Sequence, residues 1–544
     1  MERKSSLGRS AILLAVMGIV AKLIGALYRV PLTNIVGAEG MGLYQMVFPL
    51  YTVLLAFCGG GITSAVTRVV AKYTAIGDDG ACLKAVRVVL LPLAAVSVAA
   101  AGGVALLRNV ISGVQGNGDA GIAYLAICPS LLFTGGINVL RGYFQGRSIM
   151  LPSGVSQLVE QSVKLVLGLY LSRVLLPYGV KYAVAGALVG VTASELLALA
   201  YLAVRFFVTV KKRARYLPLA AAPLAETAQE LSPPQPIDTK PLLKELFSFA
   251  LSVTLGSLVL PVTQIIDSAL VINMLAPVEG RDGATAAFGL LVGPVGTLIN
   301  MPTVVALSVA VATLPAVTSA VARGESGVDA ARGAAKLILL FTVPVAVAFA
   351  AFPQYVCGAL YRRGLTAEQL DMAAQLLRIQ SIGVLYIGIL QFVTTLLQAH
   401  NRAHVPVINL LIGACVKVGL TPILVRAFGI AGAACATTAC YAVAATLSAR
   451  SASKMSAIGL DVKNAFIKPL VATLPSAAAF IGVAAMLRAL GVTAVLWQAV
   501  AGGAAFAAVY AAIVVLTGAV DVRAAIAKLR TAQRSKASEK SGGE

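Results

Sequence analysis

The sequence predicts an all-α polytopic membrane protein: about 14 transmembrane helices in two parallel six-helix repeats around a central cleft, then two C-terminal helices, with both termini cytoplasmic. Three observations carry that expectation. The 544 residues are 59% hydrophobic and only 12% charged, whereas a soluble globular chain has about 25% charged residues. One soluble core cannot absorb that much apolar sequence, and a bilayer can. The net charge of +21 is spread as cations that punctuate apolar runs, which is how membrane topology is encoded rather than how nucleic acid is bound. Finally, two stretches of the chain read alike at offsets between 246 and 254 residues.

In chain order, the apolar runs place spans at 10–28, 44–73, 86–107, 121–144, 154–176, 184–210 and 242–275. Seven more follow at 284–321, 334–352, 372–398, 405–425, 430–449, 466–490 and 495–517. Several exceed the roughly 20 residues that a bilayer needs, so tilt or kinking is expected, and Pro302 marks a kink in the eighth. The opening MERKSSLGRS is basic, but Lys22 inside the run that follows suits a retained first span better than a cleaved signal peptide. Lys22, Lys164, Arg378 and Lys417 are assigned to span interiors, and the other 39 of the 43 basic residues are assigned to alternating sides, 30 to 9. Positive loops stay cytoplasmic, which sets both termini inside.

The organisation read from this pattern is an N-lobe at 1–210 (helices 1–6), a linker at 211–241, a C-lobe at 242–451 (helices 7–12), helices 13–14 at 452–518 and a basic cytoplasmic tail at 519–544. The linker opens with KKRAR and turns Pro/Ala-rich, too poor in large apolar residues to fold alone. Either side of it the repeat is visible. RGYFQGRSIMLPSGVSQLVEQSVK around helices 4 and 5 is answered by LLQAHNRAHVPVINLLIGACVK around helices 10 and 11, with Gln145 against Gln398, Pro152 against Pro406 and Lys164 against Lys417. Six helices separate the copies, an even number, so the repeats face the same way, as in one of the known transporter plans. Rocking of two such lobes would open a cleft alternately to each side.

Seven ionisable residues are singled out as lying at membrane depth: Lys22, Glu160, Lys164, Glu195, Asp267, Arg378 and Lys417. Each costs about 2.5–3.5 kcal/mol at the membrane centre, so each should face protein or water. Glu160 and Lys164 share a helix face and can neutralise each other. Lys417 has Gly413 where Lys164 has Glu160, and Lys22 also lacks a local acid, so unpaired cations point to an anionic ligand. Arg29 ends helix 1, where its side chain can snorkel, as can that of Arg378. Asp267 and Glu195 are the acids open to a coupling ion, and Asp267 can instead pair with Lys417. Asn138, Gln145 and Asn300 can bond between helices or to a sugar. The seven cysteines include no CxxC pair, His400 and His404 lack a third ligand, and Gly59-Gly60-Gly61 suits either a hinge or close packing. No metal or organic cofactor is expected.

The run AKLIGALYRVPLTNIVGAEGMGLYQMVFPLY with GGGITSAVTRVVAKY resembles the opening of the stage V sporulation protein B family, polysaccharide-type members of the multidrug/oligosaccharidyl-lipid/polysaccharide (MOP) flippase superfamily. RGYFQGRSIMLPSGVSQLVEQSVK looks like that family's fourth and fifth helices, and NMPTVVALSVAVATLPAVTSAV like an eighth helix shared with lipid II flippases. The resemblance implies a multi-pass protein of the bacterial plasma membrane. It implies a transporter rather than an enzyme, one that turns a lipid-linked saccharide, such as an undecaprenyl-diphosphate precursor of peptidoglycan or spore cortex, from the inner to the outer leaflet. Membrane lipid and cell-wall synthesis enzymes are the implied partners. Lys22 matches a cavity arginine of helix 1 in lipid II flippases, which implies contact with the diphosphate. The next such arginine aligns at Tyr28, with Arg29 one step away, and the arginines that follow the helix-2 proline there are absent after Pro49.

In this reading Lys22, Arg29 and Lys417 neutralise the diphosphate, while Glu160, Lys164 and the polar side chains line its path. Moving about two negative charges outward at an interior potential of about −100 mV gains roughly 4–5 kcal/mol, so membrane potential can drive export, with Na⁺ or H⁺ as a further coupling. Two alternatives stand beside it. An exporter of cationic drugs from the same superfamily would line its cleft with acids. A membrane glycosyltransferase or polymerase would need larger loops bearing catalytic groups.

Overall fold

A computed structural model describes residues 2–221, 243, 246, 247, 250, 254, 258–323, 328–400, 402–454 and 463–518, and no strand occurs among them. Most of the expected linker and the whole tail at 519–544 lie outside the described residues. The opening of the linker, KKRARYLPLAA, continues a long helix.

The first helix, α1 (Glu2–Leu55), is broken at Gly37, whose φ of 70° and ψ of −169° leave the helical region. Only glycine enters that region without a Cβ penalty. After a π-helical turn at Ala56–Gly60 the chain runs through α2 (Ile62–Ala75), α3 (Asp79–Val114), α4 (Ala120–Ile127), α5 (Ser130–Gly146), α6 (Met150–Leu175) and α7 (Val180–Ala221). The next described helix, α8 (Val259–Leu290), breaks in the same manner at Gly280, with φ 75° and ψ 167°. A second π-helical turn leads into α9 (Gly296–Ala322), followed by α10 (Val328–Ala351), α11 (Pro353–Tyr361), α12 (Ala367–Gln380) and α13 (Gly383–Ala399). The described chain closes with α14 (His404–Phe428), α15 (Ile430–Ser453), α16 (Lys468–Ala489) and α17 (Val495–Leu516).

Ten helical stretches are long and apolar enough to cross a membrane, eleven when the bent pair α12–α13 is taken as one. Two of them, Leu13–Ala75 and Val259–Ala320, run to 63 and 62 residues, far beyond the roughly 20 that a bilayer needs. Each holds one of the glycine breaks and so divides in two. With α6, whose Glu160, Lys164 and Arg173 depress its hydropathy, these helical segments follow one another in the predicted order among the described residues. This is the all-helical, multi-pass architecture that the composition implied. Helix α9 passes through Pro302 without interruption, and the break in that stretch falls at Gly280.

The chain forms two compact units. The first comprises Met1–Thr297, Arg363–Gln369 and Ala414–Ala436. Its interior is tight wherever glycine lets backbones meet: a Cβ on Gly42 would lie 2.1 Å from the Thr285 carbonyl oxygen, and one on Gly289 would lie 2.1 Å from that of Ala38. Small residues at helix contacts are the usual means of close packing in membranes, where no hydrophobic drive brings helices together. The Gly59–Gly61 run serves the same end, since a Cβ on Gly61 would meet the Ala250 carbonyl oxygen at 2.2 Å. Five of the seven cysteines, Cys58 and Cys82 among them, are buried as small packing residues.

The second unit comprises Leu298–Arg362, Leu370–Gly413 and Thr437–Glu544. Here α10 packs on α13 at Gly388, whose added Cβ would touch the Thr342 methyl at 2.9 Å. Phe352 stacks on Phe480 at 4.0 Å between ring centroids, and the Tyr510 hydroxyl donates to the Leu340 carbonyl at 2.8 Å. Arg378 is exposed and donates from Nε to the Ala350 carbonyl at 3.2 Å, capping the end of α10.

The internal repeat is present in the backbone. The two-residue interruption between α4 and α5 recurs between α12 and α13, and α5 and α13 each have 17 residues. Both end in one turn: the Ile149 N–H bonds the Phe144 carbonyl at 2.8 Å, and the Arg402 N–H bonds the Leu397 carbonyl at 2.8 Å. Each pair of positions is 253 residues apart.

Candidate functional site

Polar side chains of four helices converge within the first unit. On α5, Thr134, Asn138 and Arg141 recur at i, i+4 and i+7 and therefore share one face. On α6, Ser156, Glu160 and Lys164 share another. Glu195 projects from α7, and Tyr51 and Thr52 come from the second half of α1. A cavity of about 290 Å³ opens among them, lined by Thr52, Leu55, Ala56, Thr134, Ile137, Asn138, Arg141, Glu160 and Glu195.

The charges in this cavity are organised by hydrogen bonds. Arg141 donates from Nη2 to Glu160 Oε2 at 2.9 Å and from Nε to Ser156 Oγ at 2.9 Å, while Gln161 donates from Nε2 to the other Glu160 oxygen at 3.1 Å. Asn138 accepts at Oδ1 from the Thr63 hydroxyl at 3.0 Å, and its amide nitrogen lies where a Cβ on Gly59 would sit, 2.1 Å away. Glu195 is buried and bonds only hydroxyls: the Tyr51 hydroxyl donates to Oε1, and Thr134 Oγ1 lies 2.8 Å from Oε2. Burying a carboxyl without a bonded cation is costly, and groups left in that condition inside membranes mark functional sites.

Three of the ten residues singled out from the sequence, Asn138, Glu160 and Glu195, line this cavity together. Lys164 stands beside it and faces the other way: its ammonium lies 5.5 Å from the Tyr28 ring centroid on α1, a cation–π contact. The expected Glu160–Lys164 pair is not made, because Arg141 takes the carboxylate. The Tyr28 hydroxyl is buried without a hydrogen-bond partner among the described residues. The Arg29 guanidinium sits 5.9 Å over the Phe48 ring, and Lys22 is exposed with no ion pair to a described residue. Lys22 and Arg29 are two helical turns apart on one side of α1.

The remaining four lie elsewhere. Lys417 on α14 bonds Asp267 on α8 and is largely buried, so the cation that seemed to lack a counterion has one from a distant helix. Its charge is thereby neutralised, and so is that of Asp267, whose Oδ1 has no partner among the described residues. Gln145 is half-buried near the end of α5, and Asn300 is exposed in the second unit. Sequence reading missed Arg141, Tyr51 and Thr134. Arg141 falls inside the fourth predicted span, three residues after Asn138, and that position is the signal that could have found it. A tyrosine and a threonine in apolar runs carry none.

The arrangement offers no nucleophile–base pair. It offers a partly open cavity that holds two carboxylates and one guanidinium among apolar helices. Its fold is that of the MOP transporters. The chain superposes on lipid II flippase MurJ in an inward closed conformation with a TM-score of 0.65 at 15% identity, over 92% of this chain and 98% of that one. On an inward-facing multidrug-resistance MATE transporter of the MOP superfamily the TM-score is 0.61 at 14% identity, over 82% of this chain and 98% of that one. The chain belongs to the polysaccharide biosynthesis protein family, which it matches over residues 7–321. It is also 28% identical over 471 residues to stage V sporulation protein B of Bacillus subtilis (strain 168), covering 85% of this chain and 86% of that protein. The chain is thus an all-helical, multi-pass membrane protein of the polysaccharide biosynthesis protein family.

Proposed function

We propose that this chain is a transporter that carries a lipid-linked saccharide from the inner to the outer leaflet of the bacterial plasma membrane by alternating access. The observation that carries the reading is the set of cations on α1 and α6, Lys22, Arg29 and Lys164, which bond no carboxylate among the described residues. Arg29 and Lys164 are half-buried and Lys22 is exposed; a cation kept at membrane depth without a carboxylate suits a site shared with an anion, and the diphosphate of an undecaprenyl-linked saccharide is an anion of that kind. The head group travels in the polar interior of the first unit, with Glu160, Asn138 and Gln145 offering hydrogen bonds to sugar, while the polyprenyl tail stays in lipid. Lys417 drops out of the contact set because Asp267 already neutralises it. With both termini in the cytoplasm, outward movement of the diphosphate runs with the membrane potential. Peptidoglycan precursors, including those of the spore cortex, are the substrates that fit the relatives named above, lipid II being the one in the name of the solved flippase.

The test is a leaflet assay in proteoliposomes with lipid II and with undecaprenyl-linked oligosaccharides, run with and without an imposed potential. Potential-stimulated flipping supports the reading, and no flipping of any lipid diphosphate sinks it. One observation favours a second reading: the cavity holds two carboxylates against one guanidinium, as a pocket for an organic cation would. Efflux of ethidium-like dyes in place of flipping would establish that alternative.

A further inference from the structure

Helix α5 puts a different face to each side. Thr134, Asn138 and Arg141 line the cavity described above, while Leu132, Gly135, Gly136 and Leu140 fall on the opposite face. Against that second face lies another hollow, of about 330 Å³, walled by α3 between positions 86 and 97 and by α7 between positions 199 and 207. Helix α5 packs on both walls and forms the floor. Its glycines keep the floor low: a Cβ on Gly135 would lie 3.1 Å from Leu93, and one on Gly136 would lie 2.9 Å from Leu199. Ser97 is the one polar side chain in the lining, and the exposed Ala94, Leu132 and Phe207 open the hollow to the lipid-facing surface.

The hollow has a charged end and a limited depth. Helix α3 begins where α5 ends, because Arg147 pairs with Asp79, and α7 reaches the same end, because Phe206 meets Tyr143 edge-on at 4.9 Å. Arg87 on α3 and Arg205 on α7 stand there, next to the lining residues Val86 and Phe206. Both are exposed, and neither bonds a carboxylate among the described residues. From this end the wall on α3 runs from Val86 to Ser97, about 16 Å of helical rise. That is about half of the roughly 30 Å hydrocarbon core, so the hollow has the depth of one leaflet.

We propose that this hollow binds one anionic phospholipid, with an acyl chain along the glycine floor and the phosphate between Arg87 and Arg205. Lipid tails are as apolar as the walls, so selection comes from packing and from the charge at the mouth. The chain matches the walls in length, and a cation from each wall complements the head group. A phosphatidylcholine head group brings its own ammonium to the same two cations, so an anionic lipid is preferred. The bound chain fills the space behind the helix that carries Thr134, Asn138 and Arg141, and so braces the cavity from outside. The lipid binds here whatever the cavity carries.

Trp497 is the only tryptophan of the chain, so Trp497→Phe combined with Phe207→Trp puts a single fluorophore in the wall of the hollow. The full chain in phosphatidylcholine vesicles is then quenched with brominated-chain phosphatidylglycerol or brominated-chain phosphatidylcholine. Phosphatidylglycerol should bind about tenfold more tightly, the scale set by two cations near an anionic head group. Arg87→Gln with Arg205→Gln should erase that preference, and Ala94→Phe, which fills the hollow, should reduce quenching by both lipids. All three positions are exposed, and thermal unfolding of each variant shows that the fold is retained. Equal quenching by the two lipids, or a preference that survives the double arginine substitution, overturns the proposal. So does loss of quenching on adding an equal amount of undecaprenyl phosphate, which would assign the hollow to a prenyl tail.

Discussion

Helix pairs α5–α6 and α13–α14 are copies in backbone and differ in what they hold. Position by position at the shared offset, Asn138 becomes Gln391, Arg141 becomes Thr394 and Glu160 becomes Gly413, and of these four positions the lysine alone recurs, as Lys164 and Lys417. Where Glu160 holds Arg141, Gly413 packs so close to α15 that a Cβ would lie 2.6 Å from the Cys440 carbonyl oxygen. Where Ser156 accepts from Arg141, Asn409 donates to Ser448 Oγ at 3.1 Å. The second copy spends its polar groups on helix contacts, and the first spends them on a cavity. A repeated scaffold thus lines a cavity with charge in one half and ties the charge of the other half into an ion pair. The two lysines show the rule in one residue: Lys417 is ion-paired, and Lys164 lies over an aromatic ring.

The largest effect should come from splitting the second copy's ion pair. Asp267→Ala leaves the Lys417 ammonium largely buried and alone, which should cost about 3–5 kcal/mol of stability. Thermal unfolding in detergent would read this, and Asp267→Asn combined with Lys417→Met should restore most of the loss. Lys164→Met should move stability by less than about 1 kcal/mol, since no carboxylate is orphaned, while flipping falls about tenfold, the worth of one charged hydrogen bond of some 1.5 kcal/mol. If Lys164→Met destabilises as much as Asp267→Ala, the two lysines have the same role and the comparison fails.

Next in size is Arg141→Met, which orphans Glu160 and Ser156 and should cost about 1–3 kcal/mol. Its counterpart Thr394→Ala should stay within about 0.5 kcal/mol of wild type, as substitutions away from such networks do. Gly59→Ala tests the cavity's wall. Its new methyl must displace the Asn138 amide, and overpacking of that kind costs about 1–3 kcal/mol. Equal losses for Arg141→Met and Thr394→Ala would mean that the first copy's polar face is packing and nothing more.

The scaffold was legible because a bilayer imposes it: apolar length, cation alternation and a repeated Gln, Pro and Lys suffice to order the helical segments. Gly37 and Gly280 were not recognised as breaks, since a glycine in an apolar run looks the same whether it is helical or at positive φ. The site was half legible. Asn138, Glu160 and Glu195 stood out because charge and amide are expensive in a membrane, whereas Tyr51 and Thr134 act through hydroxyls that cost little there. Pairing was the least legible part. Glu160 and Lys164 satisfy the i, i+4 rule, but Arg141, 19 residues away in sequence, reaches the carboxylate better. The Asp267–Lys417 contact spans 150 residues, which spacing rules do not address.

The same logic extends to α1 and α8, whose breaks at Gly37 and Gly280 align them at a second offset of 243 residues. On that alignment Lys22 and Arg29 stand where α8 has Ile265 and Ile272, so these two cations have no counterpart in the second copy. Lys22→Ile makes α1 resemble its partner at one position. Because Lys22 is exposed and bonds no described carboxylate, stability should hold within about 0.5 kcal/mol. Flipping of a lipid diphosphate should fall by a factor of about five at most, the worth of an exposed charge contact of up to about 1 kcal/mol, and the loss should shrink as salt screens the pair. Initial flipping rates at two ionic strengths would measure both. If the rates do not change, α1 contributes no charge to the path, and the site contracts to the cavity among α5, α6 and α7, where Arg141 is then the cation left to meet a phosphate.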